Sequence, residues 1–345
     1  MLLPAASCDL IIKIIEKVSL MNSLKNKKVL VTGGCGFIGS HLVDRLIDEK
    51  PEEIIVMDNF FLGKEDNLDA AKERLDGIHI LKSNATDFEE TSRILREENI
   101  DTVFNLAVIP LPTSLVKPRW TLEVNNAITT NLCELLREGA FETLIHCSSS
   151  EAYGTAIDIP MAESHPLNCT TPYAASKAAC DHVVLSYCRT FEVDACIIRP
   201  FNNYGPRQNE RVYAGIIPTT VRRILEGKGP VIFGDGEQTR DYLYVTDTAN
   251  ALVSAYRNNN TRGKVINIGS GVETTINNIV KIISEQMGYS NMPIYKSSRI
   301  GDVRRHCADI TLAKDLLDFK PQVGLEEGLT QTVKWYVKNL GGNGK

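Results

Sequence analysis

Residues Val29-Leu30-Val31-Thr32-Gly33-Gly34-Cys35-Gly36-Phe37-Ile38-Gly39 leave this chain few ways to fold. An apolar, β-branched run ends in a glycine loop, and Phe37, Ile38, Leu42, Val43, Leu46 and Ile47 then recur at helical spacing. Strand, tight loop and helix in that order open a βαβ unit. The glycines at 33, 36 and 39 are a spacing variant of the dinucleotide fingerprint. Gly33 permits the tight turn, Gly36 lets backbone approach a pyrophosphate, and Gly39 lets the helix pack close to the strand. The helix N-terminus adds unpaired N–H groups and a positive dipole end.

The next apolar run, Glu53 to Met57, ends in Asp58. An acidic residue there accepts hydrogen bonds from the adenosine ribose and repels a 2′-phosphate, which favours NAD over NADP. Further strands are expected at Ile78–Leu81, Thr102–Leu106, Leu144–Cys147 and Val193–Ile198. Helices are expected at Phe88–Glu97, Trp120–Glu138 and Tyr173–Thr190, with another reaching Leu75. Asp87 is placed to cap the helix at 88. Strands alternating with helices imply right-handed crossovers and a Rossmann-type doubly wound parallel α/β sheet. Ligands in such sheets sit beyond the carboxyl ends of the strands.

The pattern loosens after Pro200. A helix at Ile216–Leu225, a strand at Val231–Phe233, a strand at Val265–Ile268 and a helix at Thr275–Met287 read as a smaller C-terminal lobe. The expected division is an N-terminal extension at 1–26, a dinucleotide domain at 27–200 to which parts of 241–270 return, and a substrate lobe mainly at 201–340.

Composition excludes several classes. With 43% hydrophobic and 23% charged residues over 345 positions, the chain can bury a large core and is not a disordered protein. A net charge of −5 without a basic run argues against nucleic acid as the partner. The nine cysteines are odd in number and form no C-x-x-C pair, which points to a reducing compartment and no zinc. His41, His146 and His165 share no ligand spacing, so no metal is expected. Leu10–Leu20 is short and carries Lys13, Glu16 and Lys17, so no membrane span is expected. It also lacks the features of a signal peptide, and cytoplasm is the expected compartment.

Tyr173 and Lys177 stand at i and i+4, on one helix face. A nearby cation favours the phenolate, making tyrosine a usable base below its normal pKa of about 10. Ser149, at a strand end, is placed to share a hydrogen bond with the same substrate oxygen.

These residues together carry a family resemblance. The chain resembles the extended short-chain dehydrogenase/reductases, the NAD-dependent nucleotide-sugar epimerases and dehydratases, over about residues 27–335. The resemblance rests on Gly33–Gly39, Asp58-Asn59, Asn105-Leu106-Ala107, Ser148–Gly154, Tyr173–Lys177, Arg199–Gly205, Gly234–Asp241 and Arg299–Asp302. It implies a catalytic triad of Ser149, Tyr173 and Lys177. It implies NAD held by Gly33, Gly36, Phe37, Ile38, Gly39, Asp58, Asn59, Asn84 and Ala107, with Tyr173 and Lys177. It also implies a nucleotide-sugar substrate held by Ser150, Asn202, Arg240, Arg299 and Asp302, arginine suiting diphosphate through its planar fork. Family members usually carry Asp where Ser83-Asn84 stands, which leaves the adenine contact to Asn84. A homodimer through the helices near 120–138 and 173–190 is implied as well.

Glu151 bears on the reaction. The shared first step converts the sugar's C4 alcohol to a ketone. In the 4,6-dehydratases that the chain resembles, a glutamate then takes the acidified C5 proton, and water leaves from C6. This is the leading expectation, with Ser150 a poor acid and Glu151 both taking and giving the proton. C4 epimerases generally carry a small residue at the position of Glu151, yet Arg299-x-Gly301-Asp302 with Ala308-Asp309 looks like their tail. UDP-glucuronate decarboxylases also carry Glu but usually show an Arg near the tyrosine, where Cys169-Thr170-Thr171-Pro172 stands here. An NAD-sensing scaffold is the non-enzymatic alternative.

Overall fold

The computed structural model describes residues 22–209, 214–298 and 301–340. Most of the expected N-terminal extension, and the glycine-rich tail, lie outside the described residues. Among the described residues twelve strands run in chain order: β1 (Lys28–Thr32), β2 (Glu53–Asp58), β3 (Ile78–Lys82), β4 (Thr102–Asn105), β5 (Thr143–Cys147), β6 (Ala195–Pro200), β7 (Asn202–Tyr204), β8 (Val231–Phe233), β9 (Thr239–Tyr244), β10 (Val265–Ile268), β11 (Glu273–Thr275) and β12 (Ile294–Lys296). The main helices are α1 (Phe37–Ile47), α2 (Phe88–Glu97), α3 (Pro118–Arg137), α4 (Pro172–Phe191), α5 (Ile216–Leu225), α6 (Val245–Arg257), α7 (Ile276–Gln286), α8 (Thr311–Leu317) and α9 (Leu325–Leu340).

Seven strands make one sheet in the order β10-β6-β5-β4-β1-β2-β3. Every neighbouring pair in it is parallel. This is the doubly wound α/β fold expected from the strand–helix alternation. Strands buried on both faces need apolar side chains at every position, and β1 and β2 supply them. Val29, Val31, Ile54 and Val56 pack against Leu42, Val43 and Leu46 of α1 and Leu252 and Val253 of α6. Leu30, Ile55 and Met57 pack on the other face with Ile94 and Leu95 of α2 and Ile128, Leu132 and Leu136 of α3. The chain leaves β1 toward β2 on one side and returns to β4 on the other. The crossovers therefore diverge at the carboxyl ends of β1 and β4, and a crevice opens there.

A second core gathers Tyr204, Tyr242 and Tyr244 from β7 and β9 with Ile217 and Val221 of α5, Ile279 and Ile283 of α7, and Leu329 and Val333 of α9. β9 lies between β7, which runs parallel to it, and β11, which runs antiparallel.

The structure departs from the sequence reading in several places. The expected helix ending at Leu75 is a 3-10 turn at Glu65–Leu68 and a single α turn at Asp69–Lys72. The sixth strand starts at Ala195, because Glu192 closes α4 in the left-handed region at φ 55°. Helix α4 starts at Pro172, with the Thr171 hydroxyl accepting from the Ala174 amide at 3.1 Å. Asp87 caps α2 as expected, accepting from the Glu90 amide at 3.0 Å. Among the described residues no helix is long and apolar enough to cross a membrane.

Candidate active site

The glycine loop is built so closely that side chains are excluded from it. Gly33 holds φ +68°, and a Cβ there would stand 2.9 Å from the Ala107 backbone at the end of β4. A Cβ on Gly39 would stand 2.2 Å from the Gly33 carbonyl oxygen. Helix α1 therefore starts hard against the loop, with Gly36 at its N-cap and no side chain closing that end. The N–H groups of its first turn are open toward the cleft, as a diphosphate requires. Gly33, Gly36, Phe37, Ile38 and Gly39 all line one cleft of about 610 Å³. This cradle fits a dinucleotide.

Asp58 sits at the rim of that cradle and is buried. Its oxygens accept from the amides of Cys35 at 3.0 Å and Phe60 at 2.8 Å. Burial raises its pKa against those two bonds. Each oxygen keeps a lone pair for a ribose hydroxyl. Asn59, Ser83, Asn84 and Ala107 line the same cleft. Asn84 is exposed, and its carbonyl oxygen accepts from the Thr86 amide at 3.3 Å.

Ser149, Ser150, Glu151, Tyr173 and Lys177 also line the cleft, so the residues singled out at strand ends converge with the glycine loop. Ser149 caps the short turn Ser150–Tyr153, accepting from the Glu151 amide at 3.3 Å. Tyr173 opens α4, and Lys177 follows one turn on. The electrostatics differ from the sequence expectation. Burial pushes the Tyr173 phenol above its ordinary value, and the Ser149 hydroxyl beside it pulls the other way. The Lys177 ammonium points to the Cys147 carbonyl at 2.8 Å. The phenol is therefore not acidified by its neighbours alone.

Glu151 is a half-buried carboxyl whose pKa is raised, chiefly by desolvation, with Arg240 opposing and Asp302 reinforcing. Its side chain makes no hydrogen bond among the described residues. Arg240 is buried, donates through Nη1 to the carbonyls of Thr239 at 2.8 Å and Val303 at 2.7 Å, and pairs with Asp302 through Nη2. Asn202, Arg240 and Asp302 line the cleft. Arg299 lies outside the described residues.

Three residues of this region escaped the sequence reading. Arg207 lines the cleft and pairs with Asp44 of α1 at 2.7 Å. Gln238 also lines it and donates to the Phe233 carbonyl at 2.7 Å. His306 lies behind Ser150, fully buried. Arg207 directly extends the Arg199–Gly205 signature, a signal that was available. Gln238 lies inside the Gly234–Asp241 stretch, of which only Arg240 was singled out, and His306 carries no local pattern. Among the described residues no group of three or more His, Cys, Asp or Glu is placed to hold a metal ion.

The family model described as GDP-mannose 4,6 dehydratase matches residues 30–332. The chain belongs to that family. The family's relatives here are NAD-dependent extended short-chain dehydrogenase/reductases acting on nucleotide sugars as epimerases, dehydratases or decarboxylases. The UDP-glucose 4-epimerase of Mycolicibacterium smegmatis is 35% identical over 311 residues, covering 90% of this chain and 98% of that one. The UDP-glucose 4-epimerase of Thermotoga maritima, solved with UDP-glucose, superposes with a TM-score of 0.84 at 34% identity, covering 91% of this chain and 99% of that one. DesIV, the dTDP-glucose 4,6-dehydratase of Streptomyces venezuelae solved with NAD, also gives 0.84, at 30% identity and with 91% and 98% covered.

Proposed function

We propose that this family member is a nucleotide-sugar 4,6-dehydratase that keeps NAD bound between turnovers. Gly33, Gly36, Phe37, Ile38 and Gly39 would hold the pyrophosphate, Asp58 and Asn59 the adenosine ribose, Asn84 the adenine edge, and Ala107, Tyr173 and Lys177 the nicotinamide end. Bound there, NAD would supply a hydride acceptor and a positive charge beside Tyr173. Tyr173 then takes the C4 hydroxyl proton, and Ser149 hydrogen-bonds the same oxygen. Lys177 orients the ribose while fixed to the Cys147 carbonyl. Arg240, Asp302 and Asn202 hold the diphosphate and ribose of the substrate from the second lobe. Glu151 takes the C5 proton and gives it to the hydroxyl that leaves C6 as water. The hydride lost from C4 would then return to C6, while Glu151, reprotonated from solvent, protonates C5 and Tyr173 releases the C4 proton to solvent.

The observation that carries this reading is Glu151 itself. A half-buried carboxyl lining the cleft, with a raised pKa and no side-chain hydrogen bond of its own among the described residues, is poised as a proton carrier. A C4 epimerase has no step that needs one. Epimerisation is the second reading, favoured by the near-full-length similarity to UDP-glucose 4-epimerases. Mass spectrometry over a panel of nucleotide sugars tests both. Loss of water supports dehydration, and unchanged mass with altered configuration supports epimerisation. Glu151→Gln should stop the dehydratase after oxidation and leave an epimerase turning over. A homodimer through α3 and α4, which pack against each other, belongs to the same proposal. A monomeric mass by light scattering would count against it.

A further inference from the structure

His306 contributes nothing to the proposed chemistry as written, yet it is a wholly buried imidazole one side chain away from the cleft. Its Nε2 lies 2.8 Å from the carbonyl oxygen of Gly154. Its Nδ1 lies 3.5 Å from the Ser150 hydroxyl. A carbonyl only accepts, so Nε2 must carry the ring proton. Burial and the nearby Arg240 guanidinium hold the imidazole neutral, with its pKa down at about 4. Nδ1 is then a bare acceptor, and the Ser150 hydroxyl hydrogen has one buried partner to point at. Ser150 itself lines the cleft beside Glu151. Donating to Nδ1, Ser150 turns its oxygen lone pairs to the cleft.

The frame that fixes this polarity is stiff. The strand of chain around His306 is stitched to both walls, with the Ala156 amide on the Arg305 carbonyl at 3.2 Å and the Met161 amide on the Cys307 carbonyl at 2.8 Å. On the other side the Thr239 amide bonds the Arg304 carbonyl at 3.0 Å. The imidazole packs on Phe201, with ring centroids 5.5 Å apart. Rotation of the ring to offer a donor to Ser150 would strand the Gly154 carbonyl.

We propose that His306 is a positioning residue which, through Ser150, makes this end of the cleft acceptor-only, so that the site selects a hydroxyl rather than a carboxylate on the sugar carbon beyond Glu151. This rests on the sugar lying in this cleft, as proposed above, and it narrows the substrate class to nucleotide hexoses over nucleotide hexuronates. A C6 hydroxyl donates to Ser150. A C6 carboxylate faces lone pairs and leaves a buried acceptor without a donor.

UDP-glucose and UDP-glucuronate differ only at C6 and serve as the probes, with binding measured by calorimetry on the NAD-loaded protein. Two variants separate positioning from structural support. His306→Asn places an amide oxygen where Nδ1 stands and keeps an acceptor for Ser150. His306→Gln reaches the Gly154 carbonyl with its amide and gives up the acceptor at Nδ1. The wild type and His306→Asn should prefer UDP-glucose by at least about tenfold, since an unmade buried hydrogen bond costs about 1–3 kcal/mol. His306→Gln and Ser150→Ala should lose most of that preference. A wild type with no preference for UDP-glucose, or a His306→Gln protein that keeps it, overturns the proposal. Should His306→Gln fail to fold, Ser150→Ala carries the same comparison alone. Because binding is read, an enzyme that releases no water from any sugar defeats the dehydratase reading and leaves this test intact.

Discussion

The Lys177 ammonium donates to the Cys147 carbonyl at 2.8 Å and so fastens the second turn of α4 to the last residue of β5. Ser149 follows two residues after Cys147, and Tyr173 precedes Lys177 by one turn. One hydrogen bond thus sets the spacing between the phenol and the turn that carries Ser149 and Glu151. Lys177→Met removes it. The Cys147 carbonyl is then left unpaired, and stability should fall by about 1–3 kcal/mol in urea denaturation. Turnover should fall by about 10²–10⁴. A variant that denatures at a lower urea concentration yet turns over normally would show the lysine to be structural alone.

The contact between Gly39 and Gly33 gives a second prediction. A methyl group on Gly39 meets backbone on two sides, the Gly33 carbonyl oxygen at 2.2 Å and the Gly34 Cα at 2.8 Å, and neither can swing away. Gly39→Ala should therefore cost at least about 3 kcal/mol and abolish retention of NAD on purification. Gly139 is the control. Unlike Gly39, it has a positive φ, +73°, but nothing lies within 4 Å of its missing Cβ. Gly139→Ala should cost only the left-handed strain, about 1–2 kcal/mol, and leave NAD in place. Equal losses in thermal unfolding would refute the packing argument.

These two sites also show what was legible in the sequence. The glycine loop and the Tyr173–Lys177 pair are local patterns, and their spacing alone places both on the crevice. What a sequence does not display is the partner. Lys177 points to a backbone carbonyl, Arg240 pairs with a residue 62 positions away, and Ser150 meets one 156 positions away. Helix α6 was missed for a related reason. Its buried residues mix polar with apolar types, including Asp247, Thr248, Ala249, Ala251, Leu252 and Val253, so apolar spacing alone does not mark it. The same burial hid the electrostatics of Tyr173, since desolvation is set by what the fold packs around a side chain.

Arg199 and Asp181 form an ion pair with side chains only 3% and 1% exposed, joined at 2.6 Å. The guanidinium also lies over the Tyr153 ring, 4.4 Å from its centroid. Asp181 is one turn beyond Lys177, so this pair continues the attachment of α4 to the sheet at β6. Arg199→Met leaves a buried carboxylate without its counter-charge and should destabilise the protein by about 3–5 kcal/mol. Replacing both partners, Arg199→Met with Asp181→Leu, removes the stranded charge and should recover most of the loss. Urea midpoints of the two variants measure it. A double variant as unstable as the single one would mean that the pair contributes through the ring contact instead.

Glu151 links function to stability through pH. Its pKa in the folded protein lies above the ordinary value of 4.5, because burial penalises the carboxylate. The folded state therefore binds the proton more tightly than the unfolded state. Below pH 4.5 both states are protonated and the group has no effect on stability. As pH rises through that value the unfolded chain ionises first, and stability is lost until the folded carboxyl ionises too. Glu151→Gln is neutral throughout and escapes this loss. Its melting temperature should match the wild type in acid, exceed it as pH rises past 4.5, and hold a constant lead above the raised folded value. The same titration should appear in catalysis, with activity falling on the acid side at a higher pH than an exposed glutamate would give, since only the carboxylate can accept the C5 proton. A variant that melts with the wild type at every pH would mean that the carboxyl is solvated in the protein, and the argument that Glu151 is held ready as a base would fail with it.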